Sequence, residues 1–292
     1  MIELKNVSKS YGKKKVLEKL SLTIEDGTVF GLVGINGAGK STLLRVLAGI
    51  FEKEEGQVCV DGEEVFENEK VKKGIFFLPD DPFYTTNVTA DDLKMLYKTF
   101  YELDEEKLKN YLTTFKLDPK KPIRNFSKGM KRQVFVSLAL AIAPRYLFLD
   151  EAFDGLDPLA RLVFKRGLVE LVEEKGTTVI ISSHSLRELE DICDGYGILD
   201  EGKITSSGNL ENELEKVHKY QMAFDRDVEQ REFGFACMAY QKTGRVVKLV
   251  AKGDGEELRK KIEALKPLFV EEIEVDFEEM FVSEVQSRGY LQ

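Results

Sequence analysis

The sequence predicts an α/β fold on a parallel sheet, with an antiparallel β-subdomain, a helical subdomain and a small C-terminal α+β appendage. Three observations predict it. Residues 34–42, Gly-Ile-Asn-Gly-Ala-Gly-Lys-Ser-Thr, lie between a short apolar run at 29–33 and a helically spaced stretch at 43–48. A second apolar run, 146–149, ends in Asp150-Glu151, as a central parallel strand buried on both faces should. Asp61-Gly62, flanked by 57–60 and 64–66, is a hairpin signal and places an antiparallel sheet beside the parallel one.

The spacing of residues 34–42 has a chemical reason. Glycines at Gly34, Gly37 and Gly39 let the backbone curl with no Cβ in the way. The loop N–H groups then converge on an anion, and the helix N-terminus adds its positive dipole end. In a P-loop the Lys40 position reaches the β- and γ-phosphates, and the Ser41 hydroxyl can ligate Mg²⁺. The alternative, a glycine-rich turn that binds nothing, leaves the match of every fixed position and both flanks without a reason. The fold expected is therefore a P-loop NTPase core, and Asn36, Gly37, Gly39, Lys40, Ser41 and Thr42 form the expected nucleotide cradle.

Composition narrows the class. The chain has 292 residues, 42% of them hydrophobic and 33% charged, which suits a globular protein with a sizeable core. A net charge of -9 argues against generic nucleic-acid binding by a basic surface. Cys59, Cys193 and Cys237 are too scattered for a disulfide framework or a zinc spacing. Residues 1–5 lack a signal peptide's apolar core, and the most apolar run, 134–144, is too short to span a bilayer. Any membrane role is expected to come through a partner.

Along the chain, residues 2–24 read as two strands around a turn at Gly12, with Tyr11 beside it. Residues 75–78 read as a buried strand ended by Pro79-Asp80-Asp81-Pro82. Thr89 and Asp92 suggest a capping box, with Asp where Glu is usual. Leu93, Leu96, Tyr97 and Phe100 make one helical stripe, and Leu108, Tyr111, Leu112 and Phe115 a second. Both stripes read as core. Residues 177–182 form another buried strand, ending near His184, and Leu186, Leu189 and Ile192 share a helix face. Residues 196–204 close with a hairpin, and charge rises over 209–219, read as a linker helix. The appendage carries strands near 220–224, 245–250 and 269–275 and helices near 256–265 and 277–285. It shows no catalytic constellation.

Asp150-Glu151, at the end of its strand, falls beside the P-loop in a parallel sheet. Asp150 can hold Mg²⁺ through water, and Glu151 can orient or deprotonate the attacking water. Residues 125–133, Asn-Phe-Ser-Lys-Gly-Met-Lys-Arg-Gln, open another helix. With that segment in place the chain resembles the nucleotide-binding subunit of an ATP-binding cassette (ABC) transporter, over roughly its first two thirds. Phe126-Ser127-Lys128-Gly129-Met130 matches the family signature Leu-Ser-Gly-Gly-Gln at Ser127 and Gly129. Asp154-Gly155-Leu156-Asp157 resembles the D-loop, with Asp157 its matching acid. His184 matches the switch histidine, and Tyr11 the aromatic on which adenine stacks.

The resemblance implies an ATPase that binds ATP and Mg²⁺ and works as a head-to-tail dimer, as a homodimer or with a second ATPase subunit. The P-loop of one copy would face Ser127 and Gly129 of the other across the nucleotide, and His184 would sense the γ-phosphate. A separate membrane permease would convert the motion into transport, so the subunit would be cytoplasmic, peripheral at the inner face of the membrane. The chain departs from the pattern at Lys128 and Met130, at Ala152 where proline usually follows the catalytic glutamate, and at Asp80, where the Q-loop glutamine is expected. Asp80 is read either as a shorter, anionic ligand to Mg²⁺ or as a plain turn residue. The combination is similar to bacterial cassettes encoded apart from their permeases, often in exporters. Residues 1–212 are expected to form the ATPase domain, with the helical subdomain near 82–145, and residues 213–292 the appendage. Two other readings stand beside transport: a soluble ABC ATPase acting on nucleic acid or ribosomes, and a regulatory nucleotide-binding module with low turnover.

Overall fold

Apolar alternation at the start of the chain and fully apolar runs further on give two different sheets. The computed structural model describes residues 1–184 and 186–287; residues 288–292 of the expected appendage lie outside them. The chain runs β1 (Ile2–Tyr11), β2 (Lys14–Ile24), β3 (Val29–Val33), α1 (Lys40–Leu47), β4 (Glu55–Val60), β5 (Glu63–Glu64), α2 (Glu69–Lys72) and β6 (Ile75–Leu78). It continues with α3 (Ala90–Tyr97), α4 (Glu105–Thr114), α5 (Lys128–Ile142), β7 (Tyr146–Asp150), α6 (Pro158–Lys175), β8 (Thr178–Ser183) and α7 (Leu186–Glu190). Then follow β9 (Gly195–Asp200), β10 (Lys203–Asn209), α8 (Leu210–Leu214), β11 (Val217–Ala223), β12 (Ala239–Thr243), β13 (Val246–Lys252), α9 (Gly255–Ala264), β14 (Phe269–Ile273) and α10 (Phe277–Ser287).

The chain divides into two compact units: Met1–His184 with Ile192–Ser207, and Ser185–Asp191 with Gly208–Gln292. The division falls a few residues before the boundary expected near 212. It also assigns α7 to the C-terminal unit, which periodicity alone could not foretell.

In the first unit, β2-β1-β4-β5 form an antiparallel sheet and β10-β9-β3-β8-β7-β6 a second, six-stranded one. β6, β7, β8, β3 and β9 run parallel to their neighbours in that order. β3, β7 and β8 are buried at every position, which is why their sequences read as unbroken apolar runs. The antiparallel sheet alternates instead. Its inward side chains Ile2, Leu4, Leu20, Leu22 and Val58 share one core with Leu43, Leu44 and Leu47 of α1. Each such buried aliphatic side chain contributes about 1.5–3 kcal/mol. That core fixes α1, and so the loop before it, against the parallel sheet.

The helical subdomain holds α3, α4 and α5. α3 opens on the expected capping box: Thr89 Oγ1 accepts from Asp92 N–H, and Asp92 accepts from Thr89 N–H. The first stripe departs from the expected core. Leu93 is buried, but Leu96 is 53% and Phe100 67% exposed, as is their neighbour Met95. α3 ends at Tyr97, so Phe100 leaves the helix before the stripe can turn it inward. In the second stripe, Leu108 and Leu112 are buried as expected. α5 is the central helix here: residues 132–142 are all buried.

The C-terminal unit is a four-stranded antiparallel sheet, β12-β13-β11-β14, with β12 an additional strand that the sequence reading did not mark. Leu258 and Ile262 of α9 pack on its core with Tyr220, Met222 and Phe224. Within the same unit α7 meets α10: Glu190 accepts from Phe277 N–H at 2.9 Å, and Arg187 pairs with Glu278 at 2.8 Å. Among the described residues no helix is long and apolar enough to cross a membrane.

Candidate functional site

Three neighbouring strands deliver the site. In the order β3-β8-β7, the loop after β3 carries the glycine-rich turn, β8 leads to His184 and β7 ends in Asp150. Register aligns them, with Val33 opposite Ser183 and Asp150 opposite Ser182. Their carboxyl ends therefore present chemistry side by side.

The loop of residues 34–39 has the geometry of an anion cradle. Gly37 and Gly39 take positive φ, 85° and 112°, which side chains with a Cβ rarely adopt. A Cβ on Gly39 would also lie 2.9 Å from the Val16 carbonyl. α1 then starts at Lys40, whose N-terminal N–H groups are unpaired within the helix. Asn36 is exposed at the tip of the loop, Lys40 and Thr42 are buried, and Ser41 is partly exposed.

Lys40 is buried and folded inward. Its ammonium donates to the Gly34 carbonyl at 2.7 Å and pairs with Glu151 Oε1 at 3.4 Å. Glu151 Oε2 accepts from His184, from the backbone N–H at 3.1 Å and at Nδ1 at 2.9 Å. So the structure brings together Lys40, Glu151 and His184, three residues widely separated in sequence. Glu151 adopts φ 48°, a strained conformation for a residue with a Cβ. Its N–H is held by both the carbonyl (3.2 Å) and the hydroxyl (3.0 Å) of Ser182. The side chain is thereby aimed across the strand ends towards Lys40 and His184. Asp154 adds an oxygen, and one ligand-capable atom each from Glu151, Asp154 and His184 falls within 4.8 Å of the others.

Asp150 is fully buried. Ser182 Oγ donates to its Oδ1 at 2.8 Å, while Oδ2 has no hydrogen-bond partner. A buried carboxylate oxygen without a donor is costly, and a hard cation or its bound water relieves that cost. The donor set therefore fits Mg²⁺. Ser182 was not singled out from the sequence; its place opposite Asp150 emerges only from strand register.

The signature segment is built as a helix start. Ser127 is the N-cap of α5, its Oγ accepting from Met130 N–H at 3.2 Å. Gly129 is required by its neighbour: a Cβ there would sit 2.4 Å from the Gly155 carbonyl. The signature and the D-loop of one chain thus touch directly, and Lys128 pairs loosely with Asp154 at 3.8 Å. Asp157 has local partners. It caps α6, accepting from Ala160 N–H at 2.9 Å, and its other oxygen accepts from Gln133 at 3.3 Å. Tyr11 is half-exposed and packs edge-on to Phe51 with 6.1 Å between ring centroids.

Asp80 has a partner on the helix of the signature segment. Its Oδ1 accepts from Arg132 of α5 at 2.7 Å. Arg132 was not singled out from the sequence: it stands between Lys131 and Gln133, before the apolar run that starts at Val134, and only the structure shows that it is buried.

With this geometry in hand, likeness to known proteins is informative. The ABC transporter family profile matches residues 17–154. The ABC transporter ATP-binding protein YtrB of Bacillus subtilis is 33% identical over 97% of both chains. The lantibiotic transport ATP-binding protein SrtF of Streptococcus pyogenes is 33% identical over 77% of this chain and 99% of its own. A solved structure titled as the ATP-binding subunit of an ABC transporter superposes with a TM-score of 0.66 at 29% identity, covering 73% of this chain and 91% of that one. A dimeric ATP-binding cassette with ADP and Pi bound shares the fold, with a TM-score of 0.63 at 22% identity over 72% and 99% of the two chains. The P-loop fold, the Lys40–Glu151–His184 arrangement and these relatives agree: the chain belongs to the ATP-binding subunits of ABC transporters, and it is an ATPase.

Proposed function

We propose that this ATPase works as a head-to-tail dimer, with ATP and Mg²⁺ held between the P-loop of one copy and the signature of the other, and that it drives a separate membrane permease in export. The observation that carries the reading is the contact network of Lys40, Glu151 and His184 at the ends of adjacent strands. Lys40 now uses the Gly34 carbonyl and Glu151 as acceptors, and the β- and γ-phosphates of ATP replace them. That transfer releases Glu151 Oε1 to take a proton from, or orient, the attacking water. His184, held by Glu151 through both its N–H and its ring, meets the γ-phosphate from the β8 side. Asn36, Gly37, Gly39, Ser41 and Thr42 line the phosphate cradle, and Tyr11 offers an exposed ring for the base. Asp150 and Ser41 would hold Mg²⁺, which neutralises phosphate charge as it develops. Ser127 and the Gly129 N–H would close the partner's site from a helix N-terminus; Asp157 would set the D-loop by capping α6.

Relatives support a role in transport. SrtF is named for lantibiotic transport and BcrA of Bacillus licheniformis, 30% identical over 75% of this chain, for bacitracin transport. The net charge of -9 and these relatives favour transport over action on nucleic acid or ribosomes. The helical subdomain also exposes apolar side chains, Phe83, Met95, Leu96 and Phe100, and carries a cleft of about 330 Å³ lined by Asp80, Asp81, Tyr84 and Phe135. That surface suits a permease contact, which would hold the subunit at the inner face of the membrane. The test is co-expression with a candidate permease: a stable complex whose ATP hydrolysis exceeds that of the free chain supports the reading. No complex with any membrane protein, together with ribosome- or DNA-stimulated hydrolysis, would overturn it.

A further inference from the structure

Arg132 presents a problem that only its neighbours solve. Its side chain is 3% exposed, in a stretch of α5 where every residue from 132 to 142 is buried. A guanidinium there has lost its hydration and needs acceptors in its place. Two consecutive residues of the loop after β6 supply them. Nη1 donates to the Pro79 carbonyl at 3.1 Å, and Nη2 donates to the Asp80 carbonyl at 2.5 Å and to Asp80 Oδ1 at 2.7 Å. The planar fork fixes direction as well as distance.

We propose that Asp80 and Arg132 form a charge-paired clamp that ties the loop after β6 to the signature helix, so that Asp80 is a positioning residue for the signature and no ligand of Mg²⁺. The inference rests on the composite-site reading above. Arg132 stands five residues beyond Ser127, about one and a half turns along α5. β6 is the parallel neighbour of β7, which ends in Asp150. The clamp therefore joins the flank of the strand that carries the hydrolytic acids to the helix that presents Ser127 to the other copy. It also accounts for the departure at position 80: the acid there neutralises the buried cation at 132.

The test uses the full chain carrying Glu151→Gln, so that ATP-driven dimers accumulate. Three quantities are read for Asp80→Asn, Arg132→Lys and the double variant: nucleotide affinity of the monomer, the Mg²⁺ concentration for half-saturation, and the ATP concentration for half-dimerisation. The clamp predicts that each single variant raises the last by roughly three- to thirtyfold, the range of residues that modulate coupling between sites. Monomer affinity and Mg²⁺ half-saturation should stay at the parental values. The double variant should be no worse than the worse single, because both remove the same contact. A rise in Mg²⁺ half-saturation for Asp80→Asn alone would make Asp80 a metal ligand and overturn the clamp. So would parental behaviour, or single effects that multiply in the double variant. Should Arg132→Lys fail to fold, Asp80→Asn against Asp80→Glu decides: the clamp requires the glutamate to restore dimerisation, and equal behaviour of the two overturns it. A parent that binds ATP and never dimerises contradicts the composite site itself, and the clamp's role falls with it.

Discussion

Lys40 and Arg132 are both cations buried in the ATPase unit, at 6% and 3% exposure, and they are held in opposite ways. Lys40 rests on one backbone carbonyl and one carboxylate edge at 3.4 Å. Both are partners that phosphate oxygens can replace without leaving either group stranded. Arg132 is held by three acceptors, all of them from one short loop of the chain itself. A buried charge whose partners are exchangeable marks where substrate enters. A buried charge whose partners are all supplied by the fold marks a joint. Polar burial alone would have put the two in one class; the identity of the acceptors separates them.

Mutations on the two sides should separate in the same way. The largest effect is expected at the nucleotide side. Glu151→Gln keeps ATP binding and loses hydrolysis by roughly 10²–10⁴-fold, the usual contribution of a general base; near-parental turnover in a steady-state assay would remove Glu151 from that role. Lys40→Ala should lower kcat/KM by about 10²–10³-fold, as for loss of one preorganised donor to developing charge, and should weaken ATP binding in a fluorescent-nucleotide titration. On the signature side the effects are smaller and differ in kind. Gly129→Ala drives a methyl group against the Gly155 carbonyl, where the space allows 2.4 Å, at an overpacking cost of about 1–3 kcal/mol. It should lower dimerisation more than monomer ATP affinity. Asp157→Ala removes the cap of α6 at about 1 kcal/mol, read as a Tm lower by roughly 2–4 °C.

The contrast also explains what could be read from the chain alone. Residues 34–42 carry their geometry in their own spacing, because a tight loop followed by a helix needs glycines at set positions. Asp150 and Glu151 were legible because a strand buried on both faces reads as an apolar run, and two acids end that run. The Asp80–Arg132 contact spans fifty-two positions and joins a loop to a helix, so no local pattern encodes it. Ser182 becomes visible only through the register of β7 and β8. Leu96 and Phe100 misled for a related reason: an apolar stripe says which side chains share a face and is silent on whether another element covers it. Leu93 is buried and Tyr97 packs on Phe76, whereas Leu96 and Phe100 of the same stripe stay exposed. The place of α7 in the C-terminal unit, through Glu190 and Arg187, is likewise a matter of packing between segments far apart in the chain.

Cross-linking tests the shared site most directly. One batch of chain carries Asn36→Cys at the P-loop and another Ser127→Cys at the signature, both with Glu151→Gln and with Cys59→Ser, Cys193→Ser and Cys237→Ser. A short bifunctional thiol reagent is added with and without ATP. A head-to-tail dimer predicts covalent dimers when the two batches are mixed with ATP, few without ATP, and few from either batch alone. Cross-links that form equally without ATP, or that join Asn36→Cys to Asn36→Cys in preference to Ser127→Cys, would contradict a site built from the P-loop of one copy and the signature of the other.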